Sequence, residues 1–321
     1  MKKLTIIDGY SFLFRAYYAT LKNNNLYTKS GIPINAIYTF IKMINKIVNN
    51  LEKDEHIFVG FDSIKPSFRK EQFKEYKNNR PPCPENLKIQ MPIAHEFLEA
   101  MSIFNYEIDH FEGDDICGSI AKIASKKKYD VTIYTSDHDF FQLIDDNIKI
   151  KLIKNGINNA QEINQKNLKL LYGFNADQLI DFKGLIGDKS DNLPGIPGIG
   201  PKNAQILLSK FHTFEEIIIQ AKKNNQEIKS KLIKNLIKYQ KQGEISKSLA
   251  IIKTDLNFSF SIEKLEYQGF SIKKIENFFE KYELKTLLAI LPKKFIKKND
   301  NSNYIKKNNF LINDEKKEKY F

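Results

Sequence analysis

Short apolar runs recur through the first half of the chain, and acid follows each of them. Leu4 to Ile7 is followed by Asp8, Ile57 to Phe61 by Asp62, and Val131 to Thr135 by Asp137 and Asp139. A weaker run, Tyr106 to Ile108, precedes Glu112, Asp114 and Asp115. Short, continuous, β-rich runs predict buried strands of a mostly parallel sheet. Between them the apolar period becomes helical. Ile34, Ile37, Ile41, Ile44 and Val48 share one face, and so do Ile116, Ile120 and Ile123. Strand and helix in alternation predict an α/β domain. In such a sheet ligands bind beyond the carboxyl ends of the strands, where these acids fall.

One aspartate after a strand is ordinarily a cap or turn residue. Repetition after four strands needs another cause. Carboxylates gathered at one edge repel one another unless a cation joins them. All-oxygen donors favour Mg²⁺ or Mn²⁺ over zinc, and no His/Cys set competes. Asp114 and Asp115 open a helix, where the dipole favours anions. Asp137 and Asp139 straddle a strand-to-helix turn. Asp188 and Asp191 lie three apart, within a Gly-Asp-Lys-Ser-Asp-Asn stretch. Taken alone, that pair leaves capping and metal binding both open.

Two basic segments accompany the acids. Ser67 to Arg80, stopped by Pro81 and Pro82, predicts an amphipathic helix. Lys70, Lys74 and Lys77 share one face; Arg69, Phe73, Tyr76 and Arg80 share the next; Glu71 and Glu75 lie opposite. A solvated helix with i,i+4 ion pairs and a phosphate-gripping helix with stacking aromatics both remain open. The second segment, Leu193 to Ala204, predicts a helix-hairpin-helix. Gly198 and Gly200 permit a tight turn, and Pro201 suits the first helical turn. The helix N-terminus then faces an anion, and Lys202 and Lys210 add charge. Such contacts hold duplex backbone without reading sequence.

Composition narrows the class. Of 321 residues 41% are hydrophobic, enough to core one large domain or two ordinary ones. Lys and Arg exceed Asp and Glu by 51 to 39, a net charge of +12, which points to nucleic acid. The general abundance of Lys, Asn and Ile weakens that pointer. Lys293 to Phe321 holds nine lysines and four acids and predicts a basic linker or mobile end. No apolar run approaches the ~20 residues that span a bilayer. Asp8 cuts short the apolar run after Lys2 and Lys3, which argues against a secretion signal. Cys83 and Cys117 stand alone, consistent with a reduced, cytoplasmic setting.

The ordered set of motifs resembles a known family. The segments are Ile7-Asp8-Gly9 with Arg15-Ala16-Tyr17-Tyr18, Phe61-Asp62 with Pro66-Ser67-Phe68-Arg69, Tyr76-Lys77 with Arg80, Glu112-Gly113-Asp114-Asp115, Ser136-Asp137-His138-Asp139, and Gly187 through Gly195 with the hairpin. From about Lys3 to about Pro292 they are similar to the 5′-nuclease domain at the amino end of bacterial DNA polymerase I, in the flap endonuclease superfamily. The resemblance implies a PIN-like α/β domain over 1–175, its mostly parallel sheet flanked by helices, with a helical arch at about 66–90. It implies a helical region over 176–292 that carries the helix-three-turn-helix element, and leaves 293–321 as the tail.

The resemblance also implies roles. Asp8, Asp62, Glu112, Asp114 and Asp115 would surround a first Mg²⁺, and Asp137, Asp139, Asp188 and Asp191 a second, with Mn²⁺ able to substitute. Lys77 and Arg80 would hold the scissile phosphate, with Arg15 a further phosphate ligand. Arg69, Lys70, Lys74, Gly198, Gly200, Lys202 and Lys210 would meet DNA, Tyr76 would stack on a base, and a K⁺ ion would sit at the hairpin. The implied substrates are DNA with a 5′ flap, a nick or an RNA/DNA primer junction. The implied setting is a monomer in the cytoplasm, near the nucleoid, working with a separate DNA polymerase and no membrane. His138 departs from the lysine usual between the two aspartates. No polymerase segment follows Pro292, so a free-standing nuclease and a part of a polymerase I both stay open. A non-catalytic DNA-binding paralogue is the main competitor. A PIN-type ribonuclease leaves the hairpin unexplained, and an Asp-x-Asp phosphatase leaves both basic elements unexplained.

Overall fold

The computed structural model describes residues 1–21, 26–154 and 156–297. They fall into two compact units. The first comprises Met1–Asp8, Gly60–Pro82 and Tyr106–Phe260; the second comprises Gly9–Val59, Cys83–Asn105 and Ser261–Phe321, the last segment described as far as residue 297. Among the described residues the strands are β1 (Lys3–Asp8), β2 (His56–Gly60), β3 (Phe104–Tyr106), β4 (Asp130–Thr135), β5 (Ile148–Leu152) and β6 (Gln161–Ile163).

In the first unit β1, β4, β5 and β6 lie side by side in that order. β1, β4 and β5 are parallel, with Ile6 opposite Ile133 and Ile133 opposite Ile150. β6 runs antiparallel to β5, with Ile163 opposite Ile150. All of these isoleucines are buried, so each register step places aliphatic against aliphatic. The helix Gly113–Lys126 precedes β4 and buries Ile116, Ile120, Ala121 and Ala124. The expected α/β pattern with a mostly parallel sheet is present.

Three expectations need correction. The third strand is Phe104–Tyr106, two residues before the run at Tyr106 to Ile108. β5 was not expected, because Ile148-Lys149-Ile150-Lys151-Leu152 is not a continuous apolar run. It buries the three aliphatics and leaves the lysines half-buried, Lys149 on Asp130 at 2.7 Å. The basic tail does not begin at Lys293. Residues 293–295 form a turn, and Phe270 N–H donates to Phe295 O at 3.0 Å. The rest of the expected tail lies outside the described residues.

In the second unit the helix Asn35–Asn50 buries Ile37, Ile41, Ile44 and Val48 as its period requires. Gln90, on the helix Glu85–Ala100, ties down its start. Ile37 N–H donates to Gln90 Oε1 at 3.0 Å, and Gln90 Nε2 donates to Asn35 Oδ1 at 3.0 Å.

The helices Leu168–Tyr172, Leu179–Ile186, Pro201–Phe211, Phe214–Lys222, Ser230–Lys238 and Gln240–Leu249 belong to the first unit. Loop 187–195 is closed by two glycines in left-handed backbone, Gly187 at φ +73° and Gly195 at φ +60°. A Cβ on Gly187 would lie 2.2 Å from Leu193 O, and one on Gly195 would lie 2.2 Å from Gly187 N. Asp188 and Leu193 exchange both backbone hydrogen bonds at 2.8 Å. No side chain fits between these strands of the loop. Gly187→Ala lowers stability by about 2–3 kcal/mol. Gly31→Ala, at φ +85° with open space around it, costs only about 1 kcal/mol. Denaturant midpoints of the two variants check this; equal costs contradict it.

Candidate metal centre and nucleic-acid interface

The acids stand where the strands end. Asp8 closes β1, is 7% exposed, and accepts from Thr135 Oγ1 at 2.8 Å. Asp62 lies just beyond β2 and accepts from Gly113 N–H at 2.5 Å, so the start of the helix Gly113–Lys126 presses on it. Burial raises the Asp62 carboxyl, and the Lys77 ammonium partly offsets it. Asp114 is raised well above the ordinary range by burial and then by the charges of Asp8, Asp137 and Asp62. These four carboxylates thus share one electrostatic neighbourhood. Buried oxygen donors that cannot all ionise alone suit a hard divalent cation.

Two expected site residues are not available. Asp115 is 0% exposed, and its oxygens accept from Arg69 Nη1 and Nη2, both at 2.7 Å. Lys253 N–H adds a bond at 2.8 Å. Arg69 is 3% exposed, and its other donors reach Leu249 O at 3.0 Å and Ile251 O at 2.6 Å. Asp115 is therefore not free to ligate a metal, nor Arg69 to grip DNA. They form a buried bidentate pair that ties residues 249–253 to the helix Gly113–Lys126. Glu112 caps the same helix and is also engaged, with Lys77 Nζ at 2.8 Å, Ser67 Oγ at 3.0 Å and Arg69 at 3.5 Å. Burial raises Glu112, but Lys77 and Arg69 bring it below the usual range.

The continuous helix expected over Ser67 to Arg80 is absent. The helix is Phe68–Gln72; Phe73 is extended, and Lys77 adopts φ +55°. Long-range hydrogen bonds override the helical period. Lys77 N–H donates to Asp191 O at 2.9 Å, Asn192 Nδ2 to Glu75 O at 2.7 Å, and Arg80 Nε to Ser190 O at 3.2 Å. Tyr76 consequently points inward. It is 3% exposed, packs with Leu193, Leu249 and Ala250, and lies 3.1 Å from Asp191 Oδ2 and 3.2 Å from Glu112 Oε2. It presents no open face for a base. Lys70 turns back onto Tyr76 O at 3.0 Å, and Lys74 is exposed.

Three of the remaining acids carry cations of their own. Asp191 accepts from Arg80 Nη2 at 2.5 Å. Asp137 caps the turn His138–Leu143 by accepting from Asp139 N–H at 2.8 Å. Lys183 bridges Asp139 and Asp188, 2.7 Å from the latter. Burial and the Asp137 charge push Asp139 up to about 7 despite that ammonium. Burial also acts to raise Asp188, but Lys183 and Ser190 bring it down to about 2. Sequence reasoning missed Lys183; a lone cation in the largely apolar stretch Leu-Ile-Asp-Phe-Lys-Gly-Leu-Ile was the available signal. His138 packs its ring edge-on against Phe141 and Tyr172, and burial lowers its pKa. Among the described residues no three acids converge at metal-ligand spacing. Lys183 lies between Asp139 and Asp188.

The hairpin is built as its sequence predicts. Ile196 and Ile199 are buried, Gly198 takes φ +83°, and Pro201 opens the helix Pro201–Phe211. Asn235 Nδ2 donates to Pro197 O at 2.7 Å and holds the turn. Gly200 has an ordinary φ of −95° and open space beside it, so the turn itself does not require glycine there. Lys202 is exposed, and Lys210 pairs with Glu227 at 2.9 Å. Arg15 lies half-buried on the helix Gly9–Thr20 of the second unit.

Breaking one side of a buried pair costs about 3–5 kcal/mol. Arg69→Ala therefore lowers unfolding stability by that amount, while DNA affinity per folded molecule in Ca²⁺ is unchanged. A normal midpoint with weakened binding would restore the DNA role.

Residues 3–173 match the family described as 5′-3′ exonuclease, N-terminal resolvase-like domain, and residues 174–273 match 5′-3′ exonuclease, C-terminal SAM fold. The 5′-3′ exonuclease of Buchnera aphidicola subsp. Baizongia pistaciae is 37% identical over 285 residues, covering 87% of this chain and 90% of that protein. DNA polymerase I of Bacillus subtilis is 37% identical over 291 residues, covering 90% of this chain and 32% of that protein. The chain thus spans about a third of the length of its polymerase relatives. Among solved structures, zinc-bound T5 5′-exonuclease aligns with TM-score 0.61 at 22% identity, covering 90% of this chain and 99% of that one. The catalytic core of Rad2 in complex with a DNA substrate aligns with TM-score 0.59 at 15% identity, covering 90% and 91%. These two share the fold.

Proposed function

The chain belongs to the 5′-3′ exonuclease family, and from that premise we propose that it is a structure-specific, divalent-metal-dependent 5′ nuclease. It hydrolyses DNA phosphodiesters at 5′ flaps, nicks and RNA/DNA primer junctions, in primer removal and repair. The observation that carries this is the shared neighbourhood of Asp8, Asp62, Asp114 and Asp137 at the strand ends, with Lys77 and Arg80 resting on the acids beside it.

Asp8, Asp62 and Asp114 would hold the first Mg²⁺ or Mn²⁺, with Asp137 in the same neighbourhood and Glu112 beside them once Lys77 leaves it. Asp139, Asp188 and Asp191 would hold the second. Bound there, the ions supply Lewis-acid charge for the attacking water and the departing oxygen. Lys77 and Arg80 leave Glu112 and Asp191 for the oxygens of the scissile phosphate, where charge builds in the transition state. Arg15 adds a further phosphate contact. The open helix N-terminus behind Gly198 and Gly200, together with Lys202, takes duplex backbone, and a K⁺ ion at the hairpin completes that contact. Lys70, Lys74 and Lys210 contribute diffuse positive charge. The protein acts as a cytoplasmic monomer beside a separate DNA polymerase. No described helix is long and apolar enough to cross a membrane.

Cleavage of a 5′-labelled flap duplex tests this, with a blunt duplex and a single strand as controls. Metal-dependent cutting near the junction, abolished by EDTA, is the expected result. Binding without cutting in Mg²⁺ and in Mn²⁺ would favour the non-catalytic paralogue. Asp137→Asn keeps the cap on Asp139 N–H yet removes a metal-site charge. It lowers cleavage by roughly a hundredfold or more and leaves Ca²⁺-supported flap binding intact; equal loss of both would make Asp137 structural.

A further inference from the structure

Asp139 and Asp188 share one buried cation. Lys183 Nζ lies 2.7 Å from Asp188 Oδ2 and in direct contact with Asp139 Oδ1. Lys183 is 8% exposed, in the middle of the helix Leu179–Ile186, between buried Phe182 and buried Leu185.

That helix is held firmly. Gly187 N–H donates to Lys183 O and Ile196 N–H to Leu185 O, both at 2.8 Å, and Asp181 pairs with Lys247 at 2.6 Å. The ammonium therefore has no solvent to retreat to. Lys77 and Arg80 differ. Their side chains are 25% and 48% exposed, and they belong to the irregular segment 73–80. Lys183 is the most enclosed of the three.

Resting on the nuclease assignment above, we propose that Lys183 is the resident counter-ion of the Asp139–Asp188 pair and sets that pair's affinity for a second divalent ion. One positive charge already neutralises half of the pair. A divalent cation entering beside a fixed ammonium meets repulsion that falls only slowly with distance in a partly buried site. The free protein then takes up one divalent ion tightly, at the group of Asp8, Asp62, Asp114 and Asp137, and a second weakly. The negative phosphodiester offsets the repulsion, so the second ion enters together with substrate. Between turnovers the chain itself supplies that part of the neutralising charge.

The test is Mn²⁺ binding without DNA, read from the electron paramagnetic resonance signal of free Mn²⁺. Wild type shows one tight and one weak ion. Lys183→Met and Lys183→Gln remove the charge and tighten the weak site by about tenfold or more; Lys183→Arg keeps the charge and the wild-type isotherm. Melting gives a second measure. Lys183→Met melts lower than wild type in EDTA, and Mn²⁺ raises its melting temperature by more than it raises that of wild type. Superimposable isotherms with equal Mn²⁺-induced shifts would overturn the proposal, as would two tight ions in wild type. A wild-type protein that cuts flaps while Lys183→Met binds Mn²⁺ unchanged defeats this inference alone. A wild-type protein that binds Mn²⁺ but never cuts defeats the nuclease assignment alone.

Discussion

A surplus of buried negative charge is the constraint on which the rest of the first unit depends. Sequestering an unpaired ion costs several kcal/mol even after relaxation. A whole domain is stable by only about 5–15 kcal/mol. The carboxylates at the strand ends therefore cannot stand uncompensated. Arg69, Lys77, Arg80 and Lys183 each approach one or two of them directly. Asp114 lacks such a direct ion pair among the salt bridges described above, and its carboxyl is raised well above the ordinary range.

The four cations divide by burial and by the element that carries them. Arg69 and Lys183 are buried, hydrogen-bonded at fixed geometry and carried on helices. They hold the fold at the edge of the site. Lys77 and Arg80 sit on an irregular segment that is clipped to loop 187–195 by backbone and amide hydrogen bonds. That loop depends in turn on the contact between Gly187 and Gly195. The closest backbone approach in this region thus positions Asp188 and Asp191 and also the segment whose charges rest on the acids. Stability and proposed catalysis draw on the same ion pairs, used in different states.

Much of this was legible from residues near one another in sequence. Asp8 and Asp62 follow unbroken β-rich runs, and Leu193 to Ala204 spells out its own turn chemistry. What depended on distant partners was not legible. The 100° period over Ser67 to Arg80 is real, but hydrogen bonds to residues 188–192 outweigh it and turn Tyr76 inward. Asp114 and Asp115 are adjacent and chemically alike, yet Asp114 joins the acids while Asp115 is claimed by an arginine 46 positions away. Lys183 reads as one more lysine in a lysine-rich chain until its helix brings it to Asp139, 44 positions earlier. β5 hid because a strand that alternates Ile and Lys does not look like the continuous runs of its neighbours.

The central claim is that internal cations compensate the acids only until divalent ions and phosphate arrive. Anomalous diffraction at the manganese edge, from crystals grown with Mn²⁺, tests it most directly. The account predicts the strongest peak among Asp8, Asp62, Asp114 and Asp137, with Lys183 still on Asp139 and Asp188 in the absence of DNA. Manganese bound elsewhere on the surface, with no peak among those four carboxylates, would contradict it.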